Sequence, residues 1–241
     1  MRTITVALGE KTYNIEIAAG LLDQIGAKAR VLSQAVKAAI ISDSNVDPLY
    51  GERLERSLAA SGFEVTRIVF AAGEQSKNLT VLGQVYDELA RAGLTRSDLI
   101  LTLGGGVPGD LGGFAAATFL RGIDFIQVPT SLLAQIDSSV GGKVAIDLPS
   151  GKNLAGSFYQ PKAVFIDPDL LKTLPLRFCM MVWLKRSNTA VFAMPACLLR
   201  SLLLKVIRSC WSRRTLLLRP AVISRRGSLK KTNLTQENVC C

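Results

Sequence analysis

The chain has 241 residues, a length that suits one large domain or two modest ones, and 49% of them are hydrophobic, which is enough for a sizeable core. Its formal net charge of +10 is unevenly spread. Residues 1–177, here called the front part, carry 17 Lys and Arg against 18 Asp and Glu, whereas residues 178–241, here called the tail, carry 12 against one. All five cysteines lie in the tail, so the front part has neither a disulfide nor a thiolate metal site.

The sequence predicts neither a membrane span nor a secretory leader. The most apolar stretch, residues 99–120, is interrupted by Asp110 and six glycines, which indicates a buried strand, turn and helix. The first residues lead into alternating polar and apolar positions without an apolar leader core, and a cytoplasmic protein is therefore expected.

Strands and helices alternate along the front part. Residues 4–8 and 13–17 alternate polar and apolar side chains across a Gly-Glu-Lys turn and predict a β-hairpin. Apolar spacing then predicts, in chain order, helix 21–32, strand 38–42, helix 49–60, strand 64–70, helix 79–92, strand 99–103, helix 111–120 and strand 124–128. This order indicates an α/β fold with a Rossmann-like, mainly parallel sheet, helices on both faces and ligands at the carboxyl ends of the strands.

A glycine turn over residues 104–110, Gly-Gly-Gly-Val-Pro-Gly-Asp, joins strand 99–103 to the helix that follows. Without Cβ atoms the backbone can approach a pyrophosphate closely, and a helix N-terminus favours an anion. The alternative is a turn that only lets strand and helix pack tightly.

Polar side chains follow two other strands. Asp43 and Asn45 come after strand 38–42, where a carboxylate can accept hydrogen bonds from ribose hydroxyls. A Gly-Glu-Gln-Ser-Lys turn at 73–77 comes after strand 64–70. Turn formation and helix capping are the alternative for both, but their placement at successive strand ends favours a nucleotide site.

Single charges then occur among glycine turns. Arg121, Lys143 and Lys152 are cations, Asp137 is a carboxylate, and their neighbours are Gly-Gly, Ser-Ser and apolar residues. This pattern suits an anionic, hydroxylated small molecule better than a solvated charged face.

Several long motifs in the front part resemble the N-terminal, NAD-binding part of the 3-dehydroquinate synthase family, within the sugar phosphate cyclases. They are GEQSK at 73–77, LGGGVPGDLGGFAAATFLRG at 103–122, VPTSLLAQIDSSVGGKVAIDLPSGKNLAGSFYQPKAV at 128–164 and LKTLP at 171–175. The resemblance implies a cytoplasmic lyase of the shikimate pathway, which leads to aromatic amino acids. It converts 3-deoxy-arabino-heptulosonate 7-phosphate to 3-dehydroquinate and phosphate by transient oxidation with NAD and phosphate elimination.

The resemblance also implies site residues. Those expected to line the NAD site are Asp43, Ala72, Gly73, Glu74, Gln75, Ser76, Lys77, Gly106, Val107, Pro108, Gly109, Asp110, Thr130, Ser131, Lys143, Lys152, Leu170, Leu171, Lys172 and Thr173. Those expected to act on the sugar acid phosphate or the nicotinamide end are Asp137, Lys143, Lys152 and Asn153, with Arg121 reaching the phosphate across a homodimer.

The same resemblance implies a divalent metal, zinc or cobalt, which this chain is not expected to hold. In the family its ligands are a glutamate in a Gly-x-Ala-Glu-x-x-Lys helix soon after LKTLP and two histidines in an all-helical C-terminal domain. This chain has no histidine, and the tail shows no such helix. No metal ligand is therefore predicted.

The abrupt break at residue 177 indicates a change of reading frame. Because Met and Trp have single codons, residues 178–190 partly fix the DNA, and the frame beginning at each third base can read Leu-His-Asp-Gly-Leu-Ala-Glu-x-x-Lys-Tyr-Gly. That text contains the missing glutamate motif. We therefore predict a tail without a packed domain, and we expect neither nucleic acid nor membrane binding from its basic charge.

Two kinds of function follow from these observations. One is a sugar phosphate cyclase, a 3-dehydroquinate synthase or a relative that acts on another sugar phosphate, which as translated lacks turnover. The other is an NAD-binding fragment or an interaction module that uses its basic tail.

Overall fold

The computed structural model describes residues 1–175. The predicted boundary at residue 177 and the predicted lack of a packed domain in the tail lie outside these residues. The strands, in chain order, are β1 Arg2–Val6, β2 Tyr13–Ile17, β3 Lys37–Asp43, β4 Glu64–Phe70, β5 Leu99–Gly104, β6 Asp124–Pro129, β7 Lys143–Leu148, β8 Gly151–Phe158 and β9 Ala163–Ile166. The helices are α1 Ile25–Leu32, α2 Glu52–Ala60, α3 Leu79–Arg91 and α4 Gly106–Thr118.

Seven strands form one sheet in the order β1-β2-β9-β6-β5-β3-β4, and β7 pairs with β8 in a second, two-stranded sheet. In the large sheet only β1 runs antiparallel to its neighbour. The predicted α/β fold with a mainly parallel sheet is confirmed. Because β3, β4, β5, β6 and β9 are parallel, their carboxyl ends lie together at one edge of the sheet, which we call the carboxyl edge.

Helices cover both faces of this sheet. Strand β5 carries apolar side chains on both faces, and they are buried under these helices. Leu101 and Leu103 pack with the buried residues of α1 and α2, among them Leu54. Ile100 points to the other face and packs with the buried residues of α3 and α4, among them Leu111. This is the arrangement expected for a parallel strand that alternates between two covered faces. None of the helices within residues 1–175 is long and apolar enough to cross a membrane.

Several predicted boundaries differ from the observed ones. The helix predicted over 111–120 begins five residues earlier, at Gly106, because the glycines after Gly105 continue as helix instead of forming a loop. The helix predicted over 21–32 opens with a 3₁₀ turn, Leu21–Gln24, before α1. The first strand of the hairpin starts at Arg2, two residues before the predicted start.

The β7–β8 hairpin and β9 were not among the predicted elements. The hairpin packs on α4 through Val144 and Ile146, which join the core between α3, α4 and the sheet. Most of β8 is exposed, so its sequence lacks the alternation that identifies a half-buried strand. The hairpin places polar side chains over the start of α4, beside the carboxyl edge.

Candidate functional site

The carboxyl edge gathers most of the predicted site residues. Asp43 ends β3, the turn of Ala72 to Lys77 follows β4, and the glycine turn follows β5. Thr130 and Ser131 follow β6, and the segment containing Leu170, Leu171, Lys172 and Thr173 follows β9. Five separate chain segments thus meet at one edge because their strands are parallel neighbours.

The N-terminus of α4 is open. Gly105 occupies its N-cap position and no side chain caps the helix. A Cβ atom at Gly105 would meet nothing nearer than Ser131 Oγ at 3.4 Å, and one at Gly106 nothing nearer than Ser138 Oγ at 3.6 Å. The first backbone N–H groups of α4 therefore face space in which an anion can approach them.

Other glycines of this region serve close packing. A Cβ atom added at Gly104 would lie 2.4 Å from Pro108 Cγ. One added at Gly112 would lie 2.7 Å from Thr102 Cγ2, and one added at Gly113 would lie 2.4 Å from Val144 Cγ1. Both interpretations of the glycine-rich sequence thus apply, each to different residues.

Asp43 is almost completely buried and forms the turn after β3. Its Oδ1 accepts hydrogen bonds from the backbone N–H groups of Asn45, at 2.9 Å, and Val46, at 3.1 Å. The turn-forming alternative holds for this oxygen. In the turn after β4, Ser76 Oγ donates to Ala71 O at 2.6 Å, so that hydroxyl is also used within the turn.

Lys77 is the most enclosed charged group of the site, with 3% of its surface exposed. Its ammonium donates to Asp110 Oδ2 and to Asn153 Oδ1. Burial raises the pKa of the Asp110 carboxyl above its ordinary value, although the hydrogen bond and charge of Lys77 oppose this rise. The carboxyl of Asp110 is therefore poised to be more basic than a surface aspartate.

A cleft of about 450 Å³ lies between α4 and the β7–β8 hairpin. Its lining residues are Asp110, Asp137, Ser138, Lys143, Val144, Ala145, Asn153, Leu154, Gly156, Ser157 and Phe158. Lys143 Nζ lies 4.0 Å from Asp137 Oδ1, and both side chains are more than half exposed. Lys152 Nζ lies 3.3 Å from Glu74 Oε1, also in an exposed pair. Such exposed pairs are weak and can open to meet an anionic ligand.

The predicted residues after β6 and β9 are held more tightly. Thr130 N–H donates to Gly104 O at 2.8 Å, and Ser131 Oγ accepts from Ala134 N–H at 3.3 Å. Leu170 and Leu171 are buried in the core. Thr173 Oγ1 lies 2.6 Å from the Tyr50 hydroxyl, and Lys172 pairs with Asp169 at 2.6 Å.

Arg121 is not brought to the cleft. It follows the C-terminal end of α4 and precedes β6, so it lies at the edge of the sheet opposite the carboxyl edge. Its backbone adopts a left-handed conformation with φ of +67°, next to Leu120 with φ of +53°. Arg121 is not among the residues that line the cleft.

The described residues do not form a metal centre. Within residues 1–175 there is no group of three His, Cys, Asp or Glu side chains close enough to hold an ion. The donor set of this part of the chain does not fit the metal that the resemblance implies.

Some cleft residues escaped the sequence prediction. Leu154 and Phe158 on β8 are apolar yet 60% and 78% exposed, and both line the cleft. Asp147 N–H donates to Lys77 O at 2.8 Å and Asp147 Oδ1 accepts from Asn153 N–H at 2.8 Å. The sequence signal that could have identified these residues is the turn of the hairpin, where Pro149 and Ser150 precede Gly151, the first residue of β8.

Comparison with known proteins extends these observations. Residues 67–181 match the family model described as 3-dehydroquinate synthase N-terminal. The 3-dehydroquinate synthase of Clostridium acetobutylicum is 57% identical over 178 residues, which are 74% of this chain and 50% of that relative. The 3-dehydroquinate synthase of Clostridium botulinum is 55% identical over 178 residues, which are 74% of this chain and 51% of that relative.

Solved structures show a similar partial match. The crystal structure of 2-deoxy-scyllo-inosose synthase complexed with carbaglucose-6-phosphate, NAD+ and Co2+ has a TM-score of 0.67 and 30% identity to this chain. The match covers 73% of this chain and 48% of the other. The chain spans about half the length of the curated relatives that it matches.

Proposed function

Because the front part of this chain belongs to the 3-dehydroquinate synthase family, we propose that its carboxyl edge binds NAD for the cyclisation of a seven-carbon sugar acid phosphate. The open N-terminus of α4 is the observation that carries this proposal. It offers backbone donors and a helix dipole without a side-chain cap, and glycines leave room above it. These features fit a pyrophosphate.

The other segments of the carboxyl edge support the same ligand. Asp43 keeps one carboxylate oxygen outside its turn hydrogen bonds, which suits a ribose hydroxyl. The residues that we assign to the NAD site are those that the resemblance implies, from Asp43 through the turn of Ala72 to Lys77, the glycine turn, Thr130 and Ser131, to Leu170 and Thr173.

The substrate belongs on the cleft side. Lys143 and Lys152 carry exposed ammonium groups on flexible chains, which can leave Asp137 and Glu74 to bind carboxylate and phosphate oxygens. NAD, when bound, supplies the reversible removal of a hydride from a hydroxyl-bearing carbon. Asp137 and Asn153 both line the cleft and orient the hydroxyl groups.

Partners and setting follow the family. We assign Arg121 to the phosphate of a neighbouring subunit's substrate in a homodimer, since it does not line the cleft of its own chain. A cytoplasmic location, and the absence of nucleic acid and membrane partners, remain predictions. The described residues offer no metal ligand set, and no step is assigned to a metal.

We further propose that the tail is translated out of frame. The matches to the two relatives each cover 178 residues, or 74% of this chain, and the charge and cysteine content change after residue 177. Sequencing the gene across codons 170–190 tests this proposal. An uninterrupted frame, confirmed by tail peptides in mass spectrometry of the native protein, would contradict it.

One experiment tests the functional proposal. Calorimetric titration of the 241-residue chain with NAD is expected to show weak binding, because the chain spans only about half the length of the relatives that it matches. A dehydroquinate synthase assay with added zinc is expected to show no turnover, since the chain has no histidine. Absence of NAD binding would overturn the nucleotide site, and turnover would overturn the expected inactivity.

A further inference from the structure

One buried side chain, Lys77, joins three chain segments. Its ammonium contacts Asp110 in α4 and Asn153 in the β7–β8 hairpin, and its carbonyl oxygen accepts the N–H of Asp147 at 2.8 Å. Asp147 in turn accepts the N–H of Asn153 at 2.8 Å. The turn after β4, helix α4 and the hairpin are therefore connected through a single residue.

Lys77 does not line the cleft, whereas both acceptors of its ammonium do. Only 3% of its surface is exposed. Asp110 lies on one wall and Asn153 on the other, so the ammonium stands behind the point where the two walls meet. A ligand in the cleft would touch Asp110 and Asn153 but reach Lys77 only through them.

We propose that Lys77 is a positioning residue, which clamps the β7–β8 hairpin to α4 and so sets the separation of the Asp110 and Asn153 walls of the ligand cleft. The inference rests on the proposed function in one respect, because that function assigns a ligand to the cleft. That function also places Lys77 at the NAD site, and the inference adds that Lys77 acts on the separate ligand cleft through Asp110 and Asn153.

The chemistry of a lysine suits this role. An ammonium is a compact charge with several donors, so it can bind two acceptors that approach from different directions. Asn153 has a left-handed backbone, with φ of +56°, a conformation that a hydrogen bond to its side chain helps to hold. Without the ammonium, the buried carboxylate of Asp110 would lose its partner, and the hairpin would keep its apolar packing on α4 but lose this polar link to it.

The first test replaces Lys77 by methionine, which removes the charge and keeps the length. The charged groups that act on Asp110 are Lys77 and Glu74 from the turn after β4 and Lys143 from the hairpin. Carbon-13 NMR titration of the full chain is expected to show a higher pKa for Asp110 than in the original chain, since its nearest cation is lost. Lys162→Met, at an exposed pair with Asp124, is the matched control and leaves the Asp110 titration unchanged.

The second test stays informative if Lys77→Met fails to fold. Asn153→Gly removes the acceptor at an exposed position where glycine accommodates the left-handed backbone. Amide hydrogen exchange across residues 144–158 is expected to accelerate about tenfold or more, while exchange in β5 is unchanged. A residue that contributed only to global stability would change both regions together.

The two readouts need no ligand, so they separate this inference from the proposed function. A raised Asp110 pKa in Lys77→Met, or local acceleration in Asn153→Gly with β5 unchanged, supports the clamp even if NAD does not bind. Unchanged hairpin exchange in Asn153→Gly overturns it, as does an unchanged Asp110 titration in a folded Lys77→Met chain. Acceleration that extends equally to β5 also overturns it.

Discussion

Replacing Gly106 by aspartate is expected to weaken NAD binding while leaving the fold intact. Gly106 is the first residue of α4, and a Cβ atom there would lie 3.6 Å from Ser138 Oγ, an ordinary contact distance. A carboxylate in the first turn of a helix interacts favourably with the helix dipole, by about 0.3–1 kcal/mol. The variant should therefore unfold at the same temperature as the original chain or at a slightly higher one.

The effect on binding has the opposite sign. A carboxylate at Gly106 would lie beside the place proposed for the pyrophosphate. For two like charges about 5 Å apart at an effective dielectric constant of about 20, the repulsion amounts to about 3 kcal/mol. The dissociation constant for NAD is expected to rise about a hundredfold, and less at high ionic strength because salt screens the repulsion.

Calorimetric titration with NAD at two salt concentrations, together with thermal unfolding, measures both effects. Gly83→Asp is the matched control, because a Cβ atom at Gly83 in α3 meets nothing within 4 Å. This control is expected to bind NAD as the original chain does. Equal NAD affinity in Gly106→Asp and Gly83→Asp would refute the assignment of the pyrophosphate to the start of α4.

Two further substitutions test the packing and the electrostatics of the fold. Gly113→Ala places a methyl group 2.4 Å from Val144 Cγ1, so the free energy of unfolding should fall by about 1–3 kcal/mol in urea denaturation. Burial tends to raise the pKa of Asp98, but hydrogen bonds from Lys37 and Thr95 outweigh it and hold this pKa below its ordinary value of 3.8. A carboxylate with a lowered pKa stabilises the fold above its unfolded-state pKa, and this contribution disappears as the pH falls through the folded-state pKa. Asp98→Asn should thus be less stable at neutral pH and lose less stability on acidification, and an unchanged pH dependence would contradict this.

Strong local patterns account for what could be predicted of the fold. The buried run of β5 and the glycine that ends it define a strand, and the apolar spacing of α3 defines a helix capped by Asn78. Such signals lie within one helix or strand and can be recognised without knowing which other element packs against it. The β7–β8 hairpin carried no comparable signal, because β8 is mostly exposed and its position depends on α4 and Lys77.

The candidate site was predictable to the extent that parallel strands end at a common edge. Asp43, the turn of Glu74 and the glycine turn were assigned to it on that basis, and the structure brings all three there. The sequence could not predict which glycines serve close packing and which leave space for a ligand. Gly104 and Gly106 belong to the same Gly-Gly-Gly run and differ only in the atoms that surround them. The link from Lys77 to Asn153 spans 76 residues and depends on tertiary structure alone.

The position of β9 has a consequence for biosynthesis. This last strand inserts between β2 and β6, and Asp167 just after it accepts the N–H groups of Gly20 and Leu22, 147 and 145 residues away. A nascent chain that has not yet reached residue 166 exposes two unpaired strand edges, which are prone to aggregate. Completion of the sheet therefore waits until nearly the whole front part has been made, and docking of the N-terminal hairpin onto the sheet depends on the slow closure of this long loop.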